Sequence, residues 1–166
     1  MAATIFAASG VTAPVDLDGK SLLQLLTNPH GQVRDFLPLF NFWGTDTAQS
    51  MAVVTPEWKY IYWYSAKDGM KPMDELFHLG HDEYEMQNVA TEPNYARDLA
   101  SMQKAYDTAL AAIGSKVVSD HGYEHYSKLF DRSLTWEQKA PLIREVKEGE
   151  GESGGGSKIK RKKAGQ

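Results

Sequence analysis

The chain has 166 residues and no cysteine. That excludes disulfides, a thiol nucleophile, Cys-ligated zinc and iron–sulfur clusters. It leaves the redox compartment open, because cysteine-free chains also occur where disulfides form. No apolar run approaches the roughly 20 residues that a bilayer-spanning helix needs, so no membrane partner is expected. The opening residues, MAATIFAASG, lack a basic region and are too short for a secretory signal, so no leader is expected within this chain. A Walker pattern is also missing, and the Gly-x-Gly-x-x-Gly and Gly-x-Ser-x-Gly strings that occur lie in the Gly-rich tail, at residues 149–155, where they are linker.

Basic charge is scarce in the body. Five of the 18 basic residues (Lys158, Lys160, Arg161, Lys162 and Lys163) crowd the last nine positions, and no acid lies beyond Glu152. Residues 1–157 therefore hold 13 basic against 22 acidic groups, a net of −9. An acidic body does not attract nucleic acid, and none is expected as a partner. The basic cluster could touch nucleic acid or serve as an import signal, but it reads first as a solvated tail. A composition of 42% hydrophobic and 24% charged residues is that of an ordinary globular chain. By length it is one domain, or one domain and a tail, able to hide roughly 70% of its unfolded surface.

Residues 1–9 read as an apolar helix stopped by Gly10. Leu22, Leu23, Leu25 and Leu26 follow Ser21, a possible N-cap, and Pro29 ends the run, which suggests about two helical turns. Nine of the eighteen aromatics then fall between Phe36 and Tyr64, so strand is expected there. Three β-rich runs stand out: Leu37–Trp43, Met51–Thr55 and Trp58–Tyr64. The last alternates Trp58, Tyr60, Tyr62 and Tyr64 with Lys59, Ile61 and Trp63, a period of two. Pro56-Glu57 suits a tight connection, making Ser50–Tyr64 a hairpin, and Asp74–Leu79 is a further short strand. Such short links demand an antiparallel sheet.

From Thr91 the period changes. Tyr95, Leu99, Met102, Tyr106, Ala109, Leu110 and Ile113 recur at spacings of three and four. Thr91 and Pro93 sit at the expected start and Gly114 at the end. This amphipathic helix should lie on one face of the sheet. The fold class is thus α+β: about four antiparallel strands, a C-terminal amphipathic helix and a short N-terminal helical segment. Residues 115–144 read as an irregular arm anchored by Tyr123, Tyr126, Phe130 and Trp136. Residues 145–166, rich in Gly, Ser and Lys, bury little and should be disordered.

Several motifs invite chemistry. His121 and His125 are four apart, as two ligands on one helical face would be, but Gly122 intervenes and the Glu of the zincin pattern is missing. His78 and His81 straddle a strand end and a turn. Val117-Val118-Ser119-Asp120-His121-Gly122 resembles the strand ends that carry metal ligands in metal-dependent phosphatases and sulfatases, yet its apolar part is two residues long and no acidic cluster accompanies it. Asp82, Glu83 and Glu85 read as a solvated turn. Ser153, among the tail glycines, is linker. The aromatic hairpin could stack against carbohydrate, though aromatic strands usually pack under a helix. No catalytic, cofactor-binding or metal residue is assigned.

The order of segments is more specific than any one of them. Ala2–Val11 followed by Leu17-Asp18-Gly19-Lys20-Ser21-Leu22-Leu23 resembles a stretch of the type I, formylglycine-dependent sulfatases of the alkaline-phosphatase-like superfamily. Ala52-Val53-Val54-Thr55 with Trp58-Lys59-Tyr60-Ile61 is similar to that family's Ala-Val-Arg-Thr … Tyr-Lys-Tyr-Ile hairpin. Glu75-Leu76-Phe77-His78-Leu79 is similar to its Glu-Leu-Tyr-Asp-Leu strand. Asp82–Ala90 resembles Asp-Pro-x-Glu-x-x-Asn-Leu-Ala, with Glu83 in place of Pro. The matches run in order from residue 1 to about 113.

What they resemble is the C-terminal end of the family's fold. The resemblance implies that residues 1–35 are the truncated edge of a catalytic domain and residues 36–114 a C-terminal sheet and helix. It implies a sulfuric ester hydrolase parent whose formylglycine, made from a Cys/Ser-x-Pro-x-Arg motif, and calcium belong upstream. None of the seven prolines here has Ser two residues before it. No cofactor is therefore expected in this chain, and no hydrolase activity from it alone. Its implied role is structural and cleft-closing. Its partner is an N-terminal sulfatase domain in cis, and a sulfated substrate enters only in that full-length context. The family is often periplasmic, secreted or lysosomal; the sequence assigns no localisation. The alternative is a free-standing partner- or glycan-binding module derived from the same subdomain. A third reading is a small metal enzyme using Asp120, His121 and His125.

Overall fold

The structure, a computed structural model, describes residues 1–41, 49–64, 71–114 and 123–142. Helix α1 (Ala2–Ser9) ends where Gly10 turns left-handed at φ 69°, and the Val11 amide closes on the Phe6 carbonyl at 3.2 Å. A residue without Cβ adopts that conformation at least cost. Helix α2 (Gln24–Thr27) is a single turn rather than two. Ser21 does not cap it: its Oγ accepts the Leu23 amide at 3.3 Å, a local turn that competes with helix. Asn28, which leaves the helical region at φ −133° and ψ 81° before Pro29, closes the other end.

Four strands follow: β1 (Leu37–Asn41), β2 (Ser50–Val54), β3 (Trp58–Trp63) and β4 (Met73–His78). They form an antiparallel meander in the order β1-β2-β3-β4. Thr55 sets the β2–β3 turn. Its hydroxyl oxygen accepts the Trp58 amide at 2.9 Å, and its own amide donates to the Trp58 carbonyl at 2.8 Å. Pro56, with φ already fixed, occupies the turn between them.

A short 3-10 turn (Pro93–Tyr95) leads into the 19-residue helix α3 (Ala96–Gly114). The residue at the cap position is Glu92, not Thr91, and its side chain makes no capping bond. Proline supplies the start instead, needing no amide partner. The stripe lies where its period places it. Met102, Tyr106 and Ala109 are buried against Met51, Val53, Tyr60, Tyr62 and Leu76. Register puts these sheet residues on one face, with Val53 opposite Tyr60 and Tyr60 opposite Leu76. The Tyr106 ring stands edge-on to Tyr60 and Tyr62, at centroid distances of 5.4 and 6.0 Å.

The chain then returns as an arm made of α4 (Tyr123–Leu129) and a last helix, α5, over residues 136–142. Leu129 and Phe130 are buried. Phe130 meets Tyr64 edge-on at 5.3 Å and Phe40 at 6.3 Å, so the arm closes the β1 end of the core. Burying an aromatic of this size stabilises by about 1.5–3 kcal/mol, which helps to seat the arm.

Candidate functional site

The turn after β4 is built by three side chains. Asp82 accepts the amides of Met86 and Gln87 at 2.9 and 2.8 Å. Glu85, the one non-glycine residue with positive φ among the described residues, reaches Lys59 on β3 at 2.6 Å. Asn88 completes the sheet edge. Its side-chain oxygen accepts the amides of Leu76 and Ala90, each at 3.0 Å, while its nitrogen donates to the Asp74 carbonyl at 3.2 Å. The Val89 amide bonds the Leu76 carbonyl at 2.9 Å. Several outward polar groups of edge strand β4 are thereby paired, which also blunts edge-to-edge association. Within the Asp82–Ala90 string, Asp82, Glu85 and Asn88 are structural: each holds backbone or sheet.

The sheet has a second apolar face. Ala52, Ile61 and Phe77 form a small buried cluster there, flanked by Trp63 and Leu79. Register carries the face outward to Leu39, opposite Ala52, to Leu37, opposite Val54, and to Met73, opposite Trp63. These rim residues are 42%, 46% and 46% exposed. On the same side, Trp63 Nε1 donates to Glu75 at 2.8 Å and Lys59 pairs with Glu85. Lys59 and Glu85 thus match each other, Glu75 is hydrogen-bonded, and the rest of what the face offers a neighbour is apolar. The N-terminal segment behaves alike: no residue of α1 or α2 is buried, and Met1, Ile5, Val11, Val15, Leu22 and Leu26 are exposed.

On the helix-side face the aromatic hairpin is turned inward. Tyr60, Tyr62 and Tyr64 are buried, so they offer no open rings for carbohydrate. Their hydroxyls are engaged: Tyr60 donates to Asp74 and Tyr64 to Gln49. Lys139 of α5, wholly buried, donates to the Tyr62 hydroxyl at 2.6 Å. Burial, reinforced by the Asp74 charge, pushes Tyr62 up to about 12. Burial lowers Lys139 to about 8, with Arg132 adding to the shift and Asp131 opposing it. Arg132 itself is clamped by Asp107 at 3.0 and 3.2 Å. Lys139 and Asp74 carry no motif in the sequence; only an isolated Lys one residue before Ala140-Pro141 hints at the first.

The rings of His78 and His81 do meet, with centroids 4.3 Å apart, and His78 also lies 4.3 Å from Trp58. His78 Nδ1 is buried without a hydrogen-bond partner. Among the described residues no three His, Asp or Glu side chains come together as metal ligands would. Asp120 and His121 lie outside the described residues, as do the side chain of His125, Ser153 and the Lys158–Lys163 cluster. An open cleft of 910 Å³ separates Lys20, Arg34 and Phe36 from Leu110 and Ile113 of α3. Asp18 and Asp35 also line it, so it carries no excess of either charge.

Residues 1–111 match the family model described as N-sulphoglucosamine sulphohydrolase, C-terminal. The chain belongs to this sulfatase C-terminal family. No curated protein matches the sequence. Among solved structures, one described as BT4656 in complex with its substrate D-glucosamine-2-N,6-O-disulfate superposes with a TM-score of 0.57 at 20% identity. The match covers 66% of this chain and 23% of that one. A second, described as BT1596, a 2-O GAG sulfatase, gives a TM-score of 0.54 at 17% identity over 81% of this chain and 28% of that one. These likenesses show the fold. The chain spans about a quarter of the length of the structures it matches. The α+β architecture expected from the sequence, with four antiparallel strands under one long helix, is the one observed.

Proposed function

We propose that this chain is the C-terminal portion of a sulfuric ester hydrolase, and that its role is structural. The outer face of the sheet, with the apolar N-terminal segment, docks in cis on an N-terminal catalytic domain and closes one side of the substrate cleft. The observation that carries this reading is the exposed apolar rim of Leu37, Leu39 and Met73 around the small Ala52–Ile61–Phe77 cluster, on a subdomain whose other face is filled by α3. An apolar rim that continues a buried apolar cluster suits an interaction site. The family match supports the identity of the partner.

In this reading residues 1–35 belong to the edge of the catalytic domain, residues 36–114 form the subdomain, residues 115–144 its packing arm and residues 145–166 a tail. The chain contributes no nucleophile and does not hydrolyse sulfate esters alone. Formylglycine and calcium, which supply the nucleophile and the charge stabilisation in this family, belong to the rest of the enzyme. The described residues do not make a calcium donor set by themselves. A sulfated substrate meets this chain only in the full-length protein.

Two measurements test it. The coding sequence upstream of Met1 should continue in frame and contain Cys/Ser-x-Pro-x-Arg. The purified 166-residue chain should release no 4-methylumbelliferone from its sulfate ester. Measurable turnover by the chain alone would overturn the structural role.

A further inference from the structure

Lys139 has 0% of its surface exposed. Its Nζ meets the Tyr62 hydroxyl at 2.6 Å and lies 4.6 Å from the centre of the Tyr62 ring. Among the described residues no carboxylate stands within ion-pair distance of it. The rest of the arm's seating is apolar packing by Leu129, Phe130, Tyr126, Trp136 and Leu142, together with the Arg132–Asp107 pair and the Tyr106 hydroxyl on the Phe130 carbonyl. A buried ammonium with one neutral partner is an expensive arrangement, whereas a neutral amine in the same place keeps its hydrogen bond at little cost.

We propose that residues 126–142 form a latch on the sheet whose closure is linked to a proton on Lys139, the closed arm favouring the neutral amine. The latch covers Tyr64 and Tyr106, which join the surface when it opens. It is independent of the sulfatase reading, since it lies beyond the residues that the family model matches.

The groups facing Lys139 come from every neighbouring element. Tyr62 on β3 keeps its own proton until about pH 12. Asp131 favours the ammonium and Arg132 disfavours it, both from the link between α4 and α5. Arg132 is neutralised by Asp107 of α3, and Asp74 of β4 is bonded to the Tyr60 hydroxyl. Burial outweighs the rest and holds the closed-state amine near 8. In the open arm a lysine titrates at its ordinary value, about 10.4. Below pH 8 both forms keep the proton and closure is at its weakest. Between pH 8 and about 10.4 the closed form holds fewer protons, so closure tightens as pH rises.

The test uses the whole 166-residue chain with ¹³C-methyl leucine. Urea titrations at pH 7, 8, 9 and 10 follow Leu129 in the arm and Leu76 in the sheet. Leu129 should leave its buried environment before Leu76, and the closure constant should rise more than tenfold from pH 7 to 10. Lys139→Met should abolish that rise and hold the arm more tightly than the wild type at pH 7. A flat wild-type response, a variant that follows the wild-type slope, or a single transition shared by Leu129 and Leu76 overturns the latch. Should the variant fail to fold, the ε-¹³C resonance of Lys139 in the wild type decides: titration near 8 supports the linkage, and titration near 10.4 refutes it.

Discussion

The hydroxyl of Tyr106, midway along α3, donates to the carbonyl oxygen of Phe130 at 2.8 Å. Both residues are fully buried, so this bond ties the long helix to the returning arm inside the core. The same tyrosine ring stands edge-on to Tyr60 and Tyr62. One side chain thus joins sheet, helix and arm.

Tyr106→Phe keeps the ring and removes the donor. The Phe130 carbonyl is left buried without it, and stability to urea should fall by about 1–2 kcal/mol. The loss should be larger for arm resonances than for the sheet.

Asn88→Ala removes the acceptor of the Leu76 and Ala90 amides and the donor to the Asp74 carbonyl. Three backbone groups at the β4 edge lose their partner together, which should cost about 2–3 kcal/mol. Hydrogen exchange at the Leu76 amide should accelerate.

Alkaline pH should destabilise the chain through its buried phenols. Tyr62 is raised from 10 to about 12 in the folded state, burial being the main cause. Tyr60 and Tyr106 are raised further, again chiefly by burial. Between pH 10 and 12 the unfolded chain has lost protons that the folded chain keeps, so stability falls as pH rises through that window. Absorbance at 295 nm should show these phenols ionising only as the protein unfolds.

Leu37→Lys combined with Leu39→Lys should make the outer sheet face charged at its rim. Dye binding to exposed apolar surface, measured with anilinonaphthalene sulfonate, should drop, as should light scattering on concentration. In a protein that carries the catalytic domain, the same pair should weaken interdomain docking and lower the thermal midpoint.

Gly10→Ala meets no atom within 4 Å but must hold φ at +69°. The penalty is purely conformational, about 1 kcal/mol, and should appear as fraying of α1 in circular dichroism rather than as global unfolding.

Much of this was legible in the sequence. The alternation at Trp58–Tyr64 and the three-and-four spacing from Tyr95 to Ile113 each specify a face, because side chains project with the backbone's own period. The turn motif Asp82–Ala90 could be recognised but not explained, since Asn88 works on the β4 backbone far back along the chain. Local detail slipped where short-range bonds compete. Ser21 turned to Leu23 rather than capping a helix, and Glu92 took the cap position expected of Thr91.

Sequence by itself determined the strands, the long helix, their order and the lack of cysteine chemistry, since periodicity, turn residues and composition are local properties. Only the tertiary structure decided which aromatics are core and which face of the sheet α3 fills. It alone placed Lys139 against Tyr62, 77 positions away. Burial and charge pairing depend on groups brought together from distant segments, and no local pattern records them.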